Sequence, residues 1–139
     1  MTRQDDYYRQ MRAVPLDDTT ADRLLSGLIS PEDVNLYHIT DDSEHAVKFI
    51  TRFYRNFHSM RFVRDLLVIR LRNRPSATAI DGLNEDFSDI ITSGRIESID
   101  PPPEEREDNQ FLDLPRLGFE FNRRDYGRLR QLIDVLNSF

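Results

Sequence analysis

Leu66-Leu67-Val68-Ile69-Arg70-Leu71 is the stretch on which the fold turns. A near-continuous apolar run of this length, rich in β-formers, is too short for a helix. It reads as a central strand covered on both faces of a sheet. Upstream, Thr40-Asp41-Asp42 opens a helix, because Asp41 with Glu44 three residues on forms a capping-box pattern and the acids suit the helix dipole. The stripe Ala46, Ile50, Phe53, Phe57, flanked by Val47 and Tyr54, predicts that this helix runs to about Ser59. Before it, Ser30-Pro31-Glu32-Asp33 makes a single turn feeding a strand from Val34 to Ile39. Leu24, Leu25 and Leu28 mark a short helix from Thr20, ended near Gly27.

Downstream, Pro75-Ser76 starts a helix carrying Ile80, Leu83, Phe87 and Ile90 or Ile91. Gly94 is expected to end it, with a short strand from Arg95 to Ile99. Pro101-Pro102-Pro103 followed by Glu104-Glu105-Arg106-Glu107-Asp108-Asn109 reads as an exposed, solvated loop. Leu117, Phe119 and Phe121 alternate with Gly118 and Glu120, a half-buried strand. Asn122 is placed to cap a last helix, with Asp125 at the third position and Tyr126, Leu129, Ile133 and Leu136 as its buried stripe.

From residue 34 the order is strand, helix, strand, helix, strand, strand, helix. Four strands with helices mainly on one face predict an α/β chain of the α+β kind, a two-layer sandwich. The ferredoxin-like arrangement is the leading topology. Residues 1–17 read as a polar N-terminal arm and 18–139 as one α/β domain.

Composition limits the chemistry. The chain has 139 residues and no cysteine, which removes disulfides, thiolate nucleophiles and cysteine-ligated metals. No apolar run approaches the roughly 18 residues of a membrane span, and the N-terminus lacks a signal-peptide core, so the expected location is cytoplasmic and off the membrane. A net charge of −6 argues against general nucleic-acid binding. The charge is blocked along the chain: net −5 over 1–42, +6 over 43–74, −9 over 75–113 and +2 over 114–139. Lys48 is the only lysine; every other basic residue is arginine, whose planar fork suits carboxylate and phosphate, although a GC-rich coding bias gives the same composition.

Motif chemistry is sparse. Ser59 follows His58, but on a helix such neighbours do not face each other as a nucleophile and its base must. His38, His45 and His58 have no metal-ligand spacing, so no metal or cofactor is expected. Asp86 with Asp89, and Glu104, Glu105 and Glu107, read as solvated surface, unsuited to acid–base work. The five glycines are isolated, which excludes a phosphate-cradling loop, and no aromatic pair sits in an RNA-recognition context. One cluster remains: Arg52, Tyr54, Arg55, His58, Arg61 and Arg64, at and just past a helix C-terminus. Three roles are open to it: pairing with the acidic 75–113 segment, docking of an acidic partner, or binding of a phosphate.

The phrases Gly27-Leu28-Ile29-Ser30-Pro31-Glu32-Asp33, Leu36-Tyr37-His38-Ile39-Thr40-Asp41-Asp42, Phe53-Tyr54-Arg55-Asn56-Phe57-His58-Ser59 and Ser93-Gly94-Arg95-Ile96-Glu97 carry a family resemblance. So does the closing run from Phe121-Asn122-Arg123-Arg124-Asp125-Tyr126-Gly127 to Asp134. Over residues 24–137 the chain resembles the carboxyl-terminal part of long LOG-like proteins, often labelled lysine decarboxylase-like or Rossmann-fold nucleotide-binding. The resemblance implies that residues 18–60 match the tail of a Rossmann unit and 65–139 an appended C-terminal module, in a stand-alone or truncated version of that portion. LOG-like enzymes release the base from nucleoside monophosphates through a PGGxGTxxE motif and a glycine-rich loop. Neither occurs in this sequence, so no catalytic residue carries over.

Two functions follow as expectations. The first is a non-catalytic interaction, regulatory or oligomerisation domain that self-associates or docks on a larger protein partner, with opposite charge blocks steering the contact. The alternative is a domain binding a nucleotide or sugar phosphate through Arg52–Arg64.

Overall fold

The computed structural model describes residues 31–36 and 38–139. The expected arm and the short helix from Thr20 lie outside them. Four strands form one sheet: β1 (Phe57–Val63), β2 (Leu66–Leu71), β3 (Ile91–Ile99) and β4 (Arg116–Phe121), in the order β1-β2-β4-β3 with every pair antiparallel. Among the described residues four α-helices accompany them: α1 (Ser43–Phe53), α2 (Ala77–Asp86), α3 (Pro103–Glu107) and α4 (Tyr126–Leu136). Short 3-10 turns occupy Pro31–Leu36 and Ser88–Ile90. The two-layer α+β sandwich is as expected. β2, α2 and β3 make a split β-α-β unit with β4 lying between its two strands, while β1 joins β2 directly as a hairpin through Arg64-Asp65, where a strand-helix-strand connection was expected.

β2 is the central strand foreseen, and every residue from Leu67 to Leu71 is buried. Its Leu67, Ile69 and Leu71 join Leu117, Phe119 and Phe121 of β4 in the core, closed by Leu83 of α2 and by Leu129, Leu132, Ile133 and Leu136 of α4. Val68 and Arg70 point to the opposite face, in register with Gly118 and Arg116. There Gly118 leaves the space that Ile99 fills: a Cβ would meet Ile99 Cδ1 at 2.7 Å.

Several boundaries differ from expectation, each for a physical reason. The helix expected to reach Ser59 stops at Phe53, since Asn137 takes over the next backbone groups: its Oδ1 accepts from Asn56 N (2.8 Å) and Phe57 N (2.9 Å). Asn137 Nδ2 donates to Phe53 O at 2.5 Å, while Asn56 Nδ2 donates to Leu136 O at 3.0 Å. This reciprocal clasp leaves Phe57 free to pair in β1. The cap of α1 is Asp42, whose Oδ1 accepts from Glu44 N, one residue after the position expected.

Among the described residues no strand forms where one was expected over Val34–Ile39; residues 31–36 wind as a 3-10 turn against α4. Gly127 permits that approach, because a Cβ there would lie 2.1 Å from the Glu32 carbonyl oxygen. Gly94 does not end a helix. It lies inside β3 with φ 68°, where the register with β4 slips. The Asn122 side chain accepts from Arg124 N and Asp125 N, making a turn before α4 in place of a cap on it, and Tyr126 is exposed.

The largest departure is at the triple proline. Pro103 occupies the first turn of α3, where its missing N–H has no partner to lose, and Glu105 of that helix is completely buried.

Candidate functional site

Two charged strand residues set up the site. Arg70 and Arg116 face each other across β2 and β4 on the side away from the helices' core. Like charges opposed on a sheet repel, and buried guanidinium groups lose their water, so a carboxylate must lie between them. Glu105 supplies it. Arg70 Nη2 donates to Glu105 Oε1 and Arg116 Nε donates to Oε2 at 2.6 Å, with all three side chains at least 95% buried.

Arg116 then spends its other nitrogens on a loop. Its Nη1 donates to Phe111 O (2.9 Å) and Leu114 O (2.8 Å), and its Nη2 to Gln110 O (2.7 Å). Within that loop Asn109 and Phe111 hold left-handed backbone, φ 51° and 48°, which non-glycine residues adopt only when their surroundings impose it. The result is a fixed tip with Phe111 and Leu112 in solvent. Phe111 also lies 5.3 Å from the Arg70 guanidinium and 4.6 Å from the His58 ring.

The six residues singled out from sequence do not form one cluster. Arg61 Nη1 binds Asp108 at 2.8 Å and Arg64 Nε binds Glu104 at 3.1 Å, so the basic block is paired in part with the acidic 75–113 segment. His58 sits with them on the α3 side of β1. Arg52, Tyr54 and Arg55 lie apart at the end of α1, all exposed, with Tyr54 O accepting from Arg72 Nε. Arg52 is close enough to Asp134 to draw its carboxyl down. Burial outweighs this and the Arg130 pairing, and leaves Asp134 above its ordinary range.

His58 and Ser59 do meet, contrary to expectation. They lie on a strand, and the slip in register between Phe57 and Ser59 turns them toward each other, His58 Nδ1 to Ser59 Oγ being 2.8 Å. Arg70 Nη1 donates to the same oxygen at 3.1 Å. An oxygen that accepts from a guanidinium is a poorer nucleophile, and the contact works as a bridge from the surface imidazole to the buried trio. Glu105, Arg70 and Arg116 were missed by sequence reasoning. The available signal was Arg70 itself, an arginine inside a run read as buried on both faces.

A second cluster ties α1 to the body. His38 stacks on Phe49 at 4.3 Å, and Arg130 of α4 lies over Phe53 at 4.4 Å and Phe49 at 5.3 Å. Burial, with His45 and Arg130 nearby, holds His38 below the usual imidazole range. Beyond these contacts α1 is loosely seated: none of its residues is buried, and Val47 and Ile50 are 62% and 57% exposed.

Elsewhere, an open groove between α2 and β3 is lined by Asp81, Asn84, Glu85 and Arg95, and none of the six expected residues reaches it. Among the described residues no helix is long and apolar enough to cross a membrane. Compared with known proteins, the chain matches no family model, no curated protein and no solved structure.

Proposed function

We propose that this chain is a non-catalytic interaction domain that assembles with itself, related to the C-terminal part of LOG-like proteins. The observation that carries the reading is α1. It is an amphipathic helix whose apolar residues are divided between the body, which takes Phe49 and Phe53, and solvent, which receives Val47, Ile50 and the adjoining Tyr54. A surface stripe of this kind on a regular element marks a contact site. The charged groups support a non-catalytic role. Glu105, Arg70 and Arg116 hold a loop, and Arg61 and Arg64 hold α3.

The nucleotide or sugar-phosphate alternative has less behind it, since two of its six residues are already paired with carboxylates. The test is the mass in solution, by sedimentation from micromolar to millimolar chain, with a thermal-shift series against nucleoside monophosphates, ribose 5-phosphate and phosphate. A mass above one chain and no phosphate-dependent shift are expected. A monomer at every concentration, stabilised by a nucleotide, would overturn the reading in favour of the alternative. A monomer without such a shift would also overturn self-assembly.

A further inference from the structure

Resting on that reading, we propose that the occupant of the α1 stripe is α1 of a second copy, packed antiparallel about a two-fold axis between Val47 and Ile50. Charge is polarised along the helix. Asp41, Asp42 and Glu44 stand at its N-terminal end, whereas Arg52 and Arg55 stand at its C-terminal end, with Lys48 between. In a parallel pair, acid would face acid and base would face base. An antiparallel pair sets each acidic end over the partner's basic end and also opposes the two helix dipoles.

The stripe is self-complementary in the same sense. Val47 and Ile50, three apart, share one side of the helix, and Tyr54 follows at its C-cap, four residues beyond Ile50. An axis between residues 48 and 49 sets each Val47 against the partner's Ile50. It also places Glu44 within side-chain reach of the partner's Arg55. Arg55 is exposed and makes no ion pair among the described residues. A two-fold contact uses the same patch on both copies, so a stripe that matches itself closes at two chains.

Light scattering and sedimentation on the full chain test this directly. Wild type is expected to dimerise, and Ile50→Glu to be monomeric with an unchanged circular dichroism spectrum, since the side chain is exposed in a single copy. Glu44→Arg and Arg55→Glu are each expected to weaken the dimer about tenfold, while the double variant returns to near the wild-type dissociation constant.

Four results would overturn the proposal. A wild type that is monomeric throughout removes both the proposal and the self-assembly reading. A dimer unaffected by Ile50→Glu removes this interface and leaves self-assembly standing. A double variant weaker than either single removes the antiparallel arrangement. An Ile50→Glu chain with a lower melting temperature and unchanged mass assigns the stripe to a segment of its own chain.

Discussion

The two faces of the sheet are closed by opposite means. On one, β2 and β4 present leucine, isoleucine and phenylalanine to α2 and α4, and burial of apolar area supplies the attraction without fixing any single orientation. On the other, the same two strands present Arg70 and Arg116, and a five-residue helix is fastened by Glu105. Burying three charges contributes little net stability, because their lost hydration offsets the attraction. What it confers is direction. A guanidinium has donors at set angles, and here they fix the carbonyls of residues 110, 111 and 114. The core face holds the molecule together and the charged face specifies where a loop stands.

That contrast can be broken most severely at Glu105. Glu105→Ala leaves two guanidinium groups buried without a counter-charge and is expected to cost about 3–5 kcal/mol. The melting temperature should then fall by more than about 10 °C. Replacing all three charges by apolar residues of similar size (Arg70→Met, Glu105→Leu, Arg116→Met) sharpens the comparison. Stability should hold or rise, while amides of residues 110–114 exchange faster with deuterium. On the core face, Leu132→Ala removes a fully buried side chain and should cost about 2–5 kcal/mol, with those loop amides unchanged relative to global opening.

A smaller effect is expected at the neutral clasp. Asn137→Ala strands the amides of Asn56 and Phe57 and the Phe53 carbonyl, for about 1–3 kcal/mol by denaturant titration. The smallest belongs to the surface pair Arg128–Asp89. The Arg128 hydrogen bond holds the Asp89 carboxyl below its ordinary value. Its contribution is therefore present above the ordinary carboxylate pKa and lost as pH falls through the depressed one. The difference between wild type and Asp89→Asn, a few tenths of a kcal/mol at neutral pH for so exposed a pair, should vanish in acid.

How much of this was legible follows from the same two faces. Periodicity reports apolar burial, so Leu66–Leu71, the Leu83 helix and the Leu129–Leu136 helix stood out in the sequence. The ion trio has no period. Glu105 lies among three other acids (Glu104, Glu107 and Asp108) after three prolines, and nothing local separates the one that is buried from those that are solvated. Only the demand made by Arg70 pointed to it. The end of α1 failed for a related reason. Phe53 and Phe57 are spaced as on a helix and both pack on the core, but Asn137, eighty residues away, decides that they belong to different elements. The candidate site was legible in its charge blocks, which do meet at Arg61–Asp108 and Arg64–Glu104, and illegible in its geometry.

The irregularities of β1 and β3 bear on what the molecule does in a crowd. Both outer strands slip register, β1 after Phe57 and β3 around Gly94, while β2 and β4 pair without interruption. A sheet grows by adding a straight strand to a straight border, and bent borders refuse that addition. Among the described residues the sheet is therefore a poor template for fibre growth along its edges. The proposed pairing of α1 is of another kind: a two-fold contact consumes the surface that made it, and the count stops at two.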